Sequence, residues 1–160
     1  MPKLTAQFVG GKGLASRLIE IKGAGPYSHV DIVCPDARLL GARDNEVGGQ
    51  PQGVWIRPQG YEEWDALARI HIDVSQEQYN QAWDFWNAQI GKPYDETAIL
   101  GFVIGRNWQE TDSWFCSELW MQGLIHANVF VHPLAVAANK IDPSTAFAIS
   151  STLGDVIHVK

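Results

Sequence analysis

The sequence predicts an α+β fold, an antiparallel sheet of about four to six strands with helices packed on it, and three observations carry that expectation. Tyr27–Cys34 and Ala68–Val74 alternate between two faces, which is the period of a strand. Apolar residues recur at three and four after Ser75 and again after Cys116, which is the period of a helix. Pro35-Asp36-Ala37 supplies turn chemistry between one strand-like run and the next, so that pair is expected to be an antiparallel hairpin.

The 160 residues are 46% hydrophobic and 19% charged, enough apolar material for one domain spanning residues 1–160 with a real core. A net charge of −6 and the lack of a Lys/Arg run argue against nucleic acid or anionic lipid as partners. Two cysteines, Cys34 and Cys116, do not make a stapled scaffold, although one disulfide stays open. No closely spaced Cys/His set for zinc occurs, and no cofactor or metal is expected. The start, Met1-Pro2-Lys3-Leu4, lacks a long apolar segment, and no apolar run approaches the roughly 20 residues that span a bilayer. A cytoplasmic setting is therefore expected, and a phage-encoded one also suits the pattern.

Taken in order, Leu4–Val9 reads as a strand closed by Gly10-Gly11-Lys12-Gly13. That loop is not a phosphate loop, because Lys12 is followed by glycine rather than serine or threonine. Leu14–Ile21 carries Leu14, Leu18 and Ile21 on one helical face. In Tyr27–Cys34, His29, Asp31 and Val33 share one face and Val30, Ile32 and Cys34 the other, with Arg38–Arg43 returning beyond the turn. A polar, glycine-rich loop, Asp44–Gln52, leads to a third strand at Gly53–Pro58, Tyr61–Trp64 reads as a helical turn, and His71 falls on the solvent face of Ala68–Val74.

Ser75-Gln76-Glu77-Gln78 is a capping box, and the helix it opens carries Tyr79, Ala82, Trp83, Trp86 and Ile90 as a core stripe before Gly91 stops it. Gly91-Lys92-Pro93-Tyr94-Asp95 is a turn that places a hydroxyl and a carboxylate at defined positions. Ile99–Ile104 is apolar, Asn128–Ile141 has no clear period, and Asp142-Pro143 starts a last helix through Ile149.

Between these lies Trp114-Phe115-Cys116-Ser117-Glu118-Leu119-Trp120. With Cys116 as the first residue of a helix, the amide N–H groups and positive dipole end favour a thiolate, the nucleophilic form of cysteine. Pattern alone also suits a small buried hydrophobe.

The order of these pieces resembles the circularly permuted branch of the NlpC superfamily of papain-like cysteine hydrolases, which includes YiiX-like and lecithin:retinol acyltransferase-like proteins. Its anchors here are Tyr27-Ser28-His29-Val30, Gly91-Lys92-Pro93-Tyr94-Asp95 and Cys116-Ser117-Glu118-Leu119. The resemblance implies Cys116 as nucleophile and His29 as its base, with Tyr27, Tyr94 and Ser117 on the substrate side of the cleft. The family usually places a polar residue, often glutamate, on the strand after the histidine, where this chain has Gly41-Ala42.

Three groups are candidates to hold His29 instead. If Cys34 pairs with Leu39, antiparallel counting sets His29 opposite Asp44, which ranks first. A slip of one residue brings Arg43 there. Asp31, two residues along the histidine's own strand, ranks next, and a main-chain carbonyl or water is a further alternative. The expected function is a thiol hydrolase that cleaves an amide or ester bond of a peptide or acyl-bearing small molecule through an acyl-enzyme. An acyltransferase using the same thioester and an inactive binding module are the alternatives.

Overall fold

The computed structural model describes residues 1–11, 25–96 and 112–160, and these form an α+β fold. One six-stranded antiparallel sheet is built from β1 (Lys3–Gly10), β2 (His29–Val33), β3 (Leu39–Arg43), β4 (Gly53–Arg57), β5 (Ala66–Asp73) and β6 (Asp155–His158), in the order β4-β3-β2-β1-β5-β6. With it go α1 (Gln76–Gln89), α2 (Cys116–His126), a 3-10 turn at Ala138–Lys140 and α3 (Pro143–Ser151). The reading of Leu14–Ile21 as a helix and the apolar run Ile99–Ile104 lie outside the described residues. Among the described residues no helix is long and apolar enough to cross a membrane.

Residues paired across antiparallel strands project to the same face. The register sets Phe8 against Val30 and Ala68, and Ala6 against Ile32 and Ile70, with Leu40 across from Ile32 and Ile56. Phe8, Val30, Ala68, Ala6, Ile32, Ile70 and Leu40 are buried and form the apolar face of the sheet. Helix α2 packs on β2 and β3 and also meets α1, the 3-10 turn and α3, so Leu119, Trp120, Met121 and Leu124 are fully buried. The α1 stripe joins the same core: the Trp86 ring stacks on Trp120 at 5.4 Å, and its indole N–H donates to the Leu119 carbonyl.

The opposite face carries the polar half of the alternation. Gln7 pairs with Asp31 and Val9 with His29. At the His29 end this face is covered by Tyr61 and Trp64, in a stretch that is irregular rather than the expected helical turn.

The β2–β3 register corrects the expected one. Val33 pairs with Leu39 and Ile32 with Leu40, while Cys34 bonds Arg38, not Leu39. The cause is Ala37, whose φ of 69° lets three residues close the hairpin where four were counted. Counting on, Asp31 falls across from Gly41 and His29 across from Arg43, so Asp44 loses the place expected for it.

The capping box of α1 forms as expected, with the Ser75 hydroxyl accepting from the Gln78 amide and the Gln78 side chain accepting from the Ser75 amide. Strand β6 has no counterpart in the sequence reading; four mostly exposed residues after a glycine carry little strand signal. Both cysteines are free and buried.

The turn after α1 ties three parts of the chain together. The Val54 amide donates to the Lys92 carbonyl and the Gly91 amide to the Val54 carbonyl, while the Asp95 amide donates to the Trp114 carbonyl and the Trp114 amide to the Pro93 carbonyl. Gly53 is needed for this contact: its φ is 112°, and a Cβ there would stand 2.5 Å from the Lys92 oxygen. Gly53→Ala is expected to lower stability by about 1–3 kcal/mol, read as a shifted urea midpoint with unchanged slope.

Candidate active site

Cys116 is the first residue of α2, and Phe115 at the N-cap makes no side-chain cap. A phenyl ring carries no acceptor, so the cap leaves first-turn N–H groups to bear on an anion at the helix start. The extended residues before it are fixed by the bridge between Tyr94 and Trp114, which is why the Gly91–Asp95 turn matters to Cys116.

His29 is the first residue of β2, and its ring lies close enough to Cys116 for the sulfur's charge to bear on it. On the other side Nε2 donates to Asp31 Oδ1 at 2.8 Å. With Nε2 so engaged, Nδ1 is the nitrogen left for the sulfur. The Tyr61 hydroxyl donates to Asp31 Oδ2 at 2.9 Å and stands 3.2 Å from Nε2. Trp64 lies nearly parallel to the imidazole, with centroids 5.9 Å apart and planes at 14°. Arg43 lies over both aromatic rings, 5.6 Å from the Tyr61 centroid and 5.3 Å from that of Trp64, and is held by Glu62 at 2.6 Å.

Electrostatics follow from burial and from these partners. Burial of His29 would by itself push the imidazolium's pKa down, but the charges of Asp31 and Cys116, with a hydrogen bond to each, outweigh it and hold the ring at about 9. Burial, then the charge of Cys116, raises the Tyr94 hydroxyl well above its ordinary range. The Cys34 thiol is held up at about 11, by burial first and then by Asp36. Of the two cysteines, only Cys116 has an imidazole partner here.

Asp31, ranked second from sequence, is the carboxylate on the ring. It is 1% exposed, and a Cβ at residue 41 would overlap its Oδ1. The carboxylate thus occupies the volume that the glycine leaves empty. Asp44 is exposed beyond the strand end, and its charge bears on Arg43 and Tyr94. Tyr94 is beside the site, its ring 5.9 Å from that of Phe115.

The other two cleft candidates sit elsewhere. Ser117 is fully buried and donates to the Ile141 carbonyl at 2.6 Å, fastening α2 to the segment before α3. Tyr27 packs on Phe147 at 4.5 Å and lines a shallow cavity with Ser144 and His158, while its backbone exchanges hydrogen bonds with Ser144. Sequence reasoning missed Tyr61 and Trp64, and reached Arg43 only through the slipped register, as a poor partner for an imidazole. Only the slipped register offered a signal, because it sets Arg43 across from His29 and a glycine across from Asp31.

No family model matches this chain, and no curated protein matches it in sequence. What the site can do is therefore argued from its chemistry. A thiol at a helix N-terminus lies beside an imidazole, and a buried carboxylate holds one nitrogen of that ring. That set is equipped for attack on an electrophilic carbon followed by proton delivery to a leaving group. Among the described residues no group of three His, Cys, Asp or Glu side chains is placed to hold a metal ion.

The raised His29 pKa makes stability depend on pH with a definite sign. Below about 6.5 the ring is protonated in folded and unfolded chains alike, so its pairing contributes in full; as pH rises toward about 9 the unfolded chain releases its proton first and the advantage is lost. Stability in urea is expected to fall across that window, and His29→Gln is expected to remove the slope. Gly41→Ala should displace Asp31, cost about 1–3 kcal/mol, and bring the His29 titration midpoint, followed by NMR, below about 9.

Proposed function

We propose that this chain is a cysteine hydrolase that cleaves an amide or ester bond through an acyl-enzyme, with a site of the permuted papain-like kind its motifs resemble. The observation that carries the reading is the His29 ring held between Asp31 and Cys116, the latter on the first residue of α2. The imidazolium is the form favoured up to about pH 9, so the ring holds a proton that it can give to a leaving group.

The sulfur attacks the carbonyl carbon, and the tetrahedral oxyanion is received by the Cys116 amide at the helix start. As the bond to nitrogen or oxygen breaks, His29 gives its proton to the leaving group, and a thioester remains. Neutral His29 then takes a proton from water as that water attacks the thioester; the acid departs, and the thiolate and imidazolium are restored. Asp31 holds the ring in place and balances the charge of the imidazolium, the role a buried carboxylate has in such sites. Its presence beside Gly41 weighs against an inert binding module, since it supplies the carboxylate that the residue at position 41 cannot. The net charge of −6 supports a peptide or a small acylated molecule over nucleic acid as substrate.

Alkylation by iodoacetamide tests the pair without a known substrate. Cys116 should react well below the ordinary thiol range near pH 8.5, about a hundredfold faster than free cysteine at pH 6. His29→Ala should return the profile to that of free cysteine, and a wild-type profile that already matches free cysteine sinks the proposal. Cys116→Ser should keep the fold by circular dichroism and lose turnover in a screen of peptide and ester substrates.

A further inference from the structure

The Asp31 carboxylate is buried, and among the described residues the side-chain hydrogen bond the sheet offers it is the one from the His29 ring on its own strand. A carboxylate attached two residues from the ring it serves can swing about its own Cα–Cβ bond, and on the far side Gly41 presents no side chain to stop it. What closes that freedom comes from outside the sheet. Tyr61, in the segment between β4 and β5, reaches the pair with a single hydroxyl: its hydrogen goes to Asp31 Oδ2 and its oxygen stands within reach of the proton on His29 Nε2. The three groups make a closed ring of hydrogen bonds in which each member fixes the direction of the next.

Tyr61 itself is fastened. Its ring meets Trp64 edge-on at 6.4 Å, with the Arg43 and Arg57 guanidinium groups at 5.6 Å and 6.0 Å from its centroid. Arg43 is anchored by Glu62, and Arg57 is fully buried on the carbonyls of Gly41, Val47 and Pro51. The charged groups that face the hydroxyl are therefore Asp31, His29, Arg43 and Arg57, with Glu62 behind Arg43. Burial, then the charge of Asp31, raises the phenol far above its ordinary range, so it stays a donor at any working pH.

Resting on the reading of Cys116 and His29 as a catalytic pair, we propose that Tyr61 is the positioning residue of this site, locking Asp31 against His29 so that the ring presents Nδ1 to the sulfur. Tyr61→Phe keeps the aromatic contacts and removes only the hydroxyl. It is expected to slow Cys116 alkylation at pH 7 about tenfold, the scale of one hydrogen bond to a charged group. It should also shift the His29 Nε2 proton resonance, with the wild-type fold kept by circular dichroism and the thermal midpoint lowered by the loss of the bond to Asp31.

Should the phenylalanine variant misfold, fluorotyrosine at position 61 keeps ring and hydroxyl while strengthening the donor. The Nε2 proton is then expected to move with each added fluorine. Wild-type alkylation and an unmoved Nε2 signal in folded Tyr61→Phe, or a signal indifferent to fluorination, overturns the role of Tyr61. These outcomes are distinct from failure of the catalytic pair, in which wild type and His29→Ala both alkylate like free cysteine.

Discussion

One buried negative charge organises this site. Asp31 is almost completely withdrawn from solvent on the polar face of the sheet, where an unpaired carboxylate is costly. The surrounding residues answer that cost in turn: an imidazole on one oxygen, a phenol on the other, and two guanidinium groups close by. Remove the glycine across the ladder and the carboxylate has nowhere to sit.

The same charge sets the protonation of His29, because burial alone drives an imidazole toward neutrality and only opposite charge reverses the direction. An imidazolium holds a proton that it can give to a leaving group, which a neutral ring does not. The proposed chemistry therefore depends on a residue that the nucleophile does not touch. Helix α2 supplies the other half: it is buried on several sides, so the position of its first residue is determined by core packing rather than by a flexible loop.

Much of the scaffold was legible in the sequence because it depends on neighbours along the chain. Alternation in Tyr27–Cys34 and Ala68–Val74, the capping box at Ser75 and the helical spacing after Cys116 are local patterns, and β2, β5, α1 and α2 form where those patterns lie. The register was not legible, because it turned on the backbone of Ala37. A left-handed alanine is uncommon, and no residue type announced it. One residue of slip exchanged Asp44 for Arg43 across from His29 and put Asp31 beside Gly41. Ser117 follows Cys116 directly, but side chains of adjacent helical residues diverge; Tyr27 lies two residues before His29, ahead of the strand, and its ring packs on Phe147. Adjacency therefore did not bring them into the site.

The sequence by itself determined the class of fold, the helix start beneath Cys116 and the candidacy of His29, all of which rest on period, caps and residue chemistry. Tertiary structure alone decided which carboxylate holds the histidine and that Tyr61, Trp64 and Arg43 enclose it. The reason is physical: a buried charge is stabilised by whatever partners the folded chain brings within hydrogen-bond distance. Here the phenol comes from 30 residues away along the chain, through an irregular segment that carries no periodic signal.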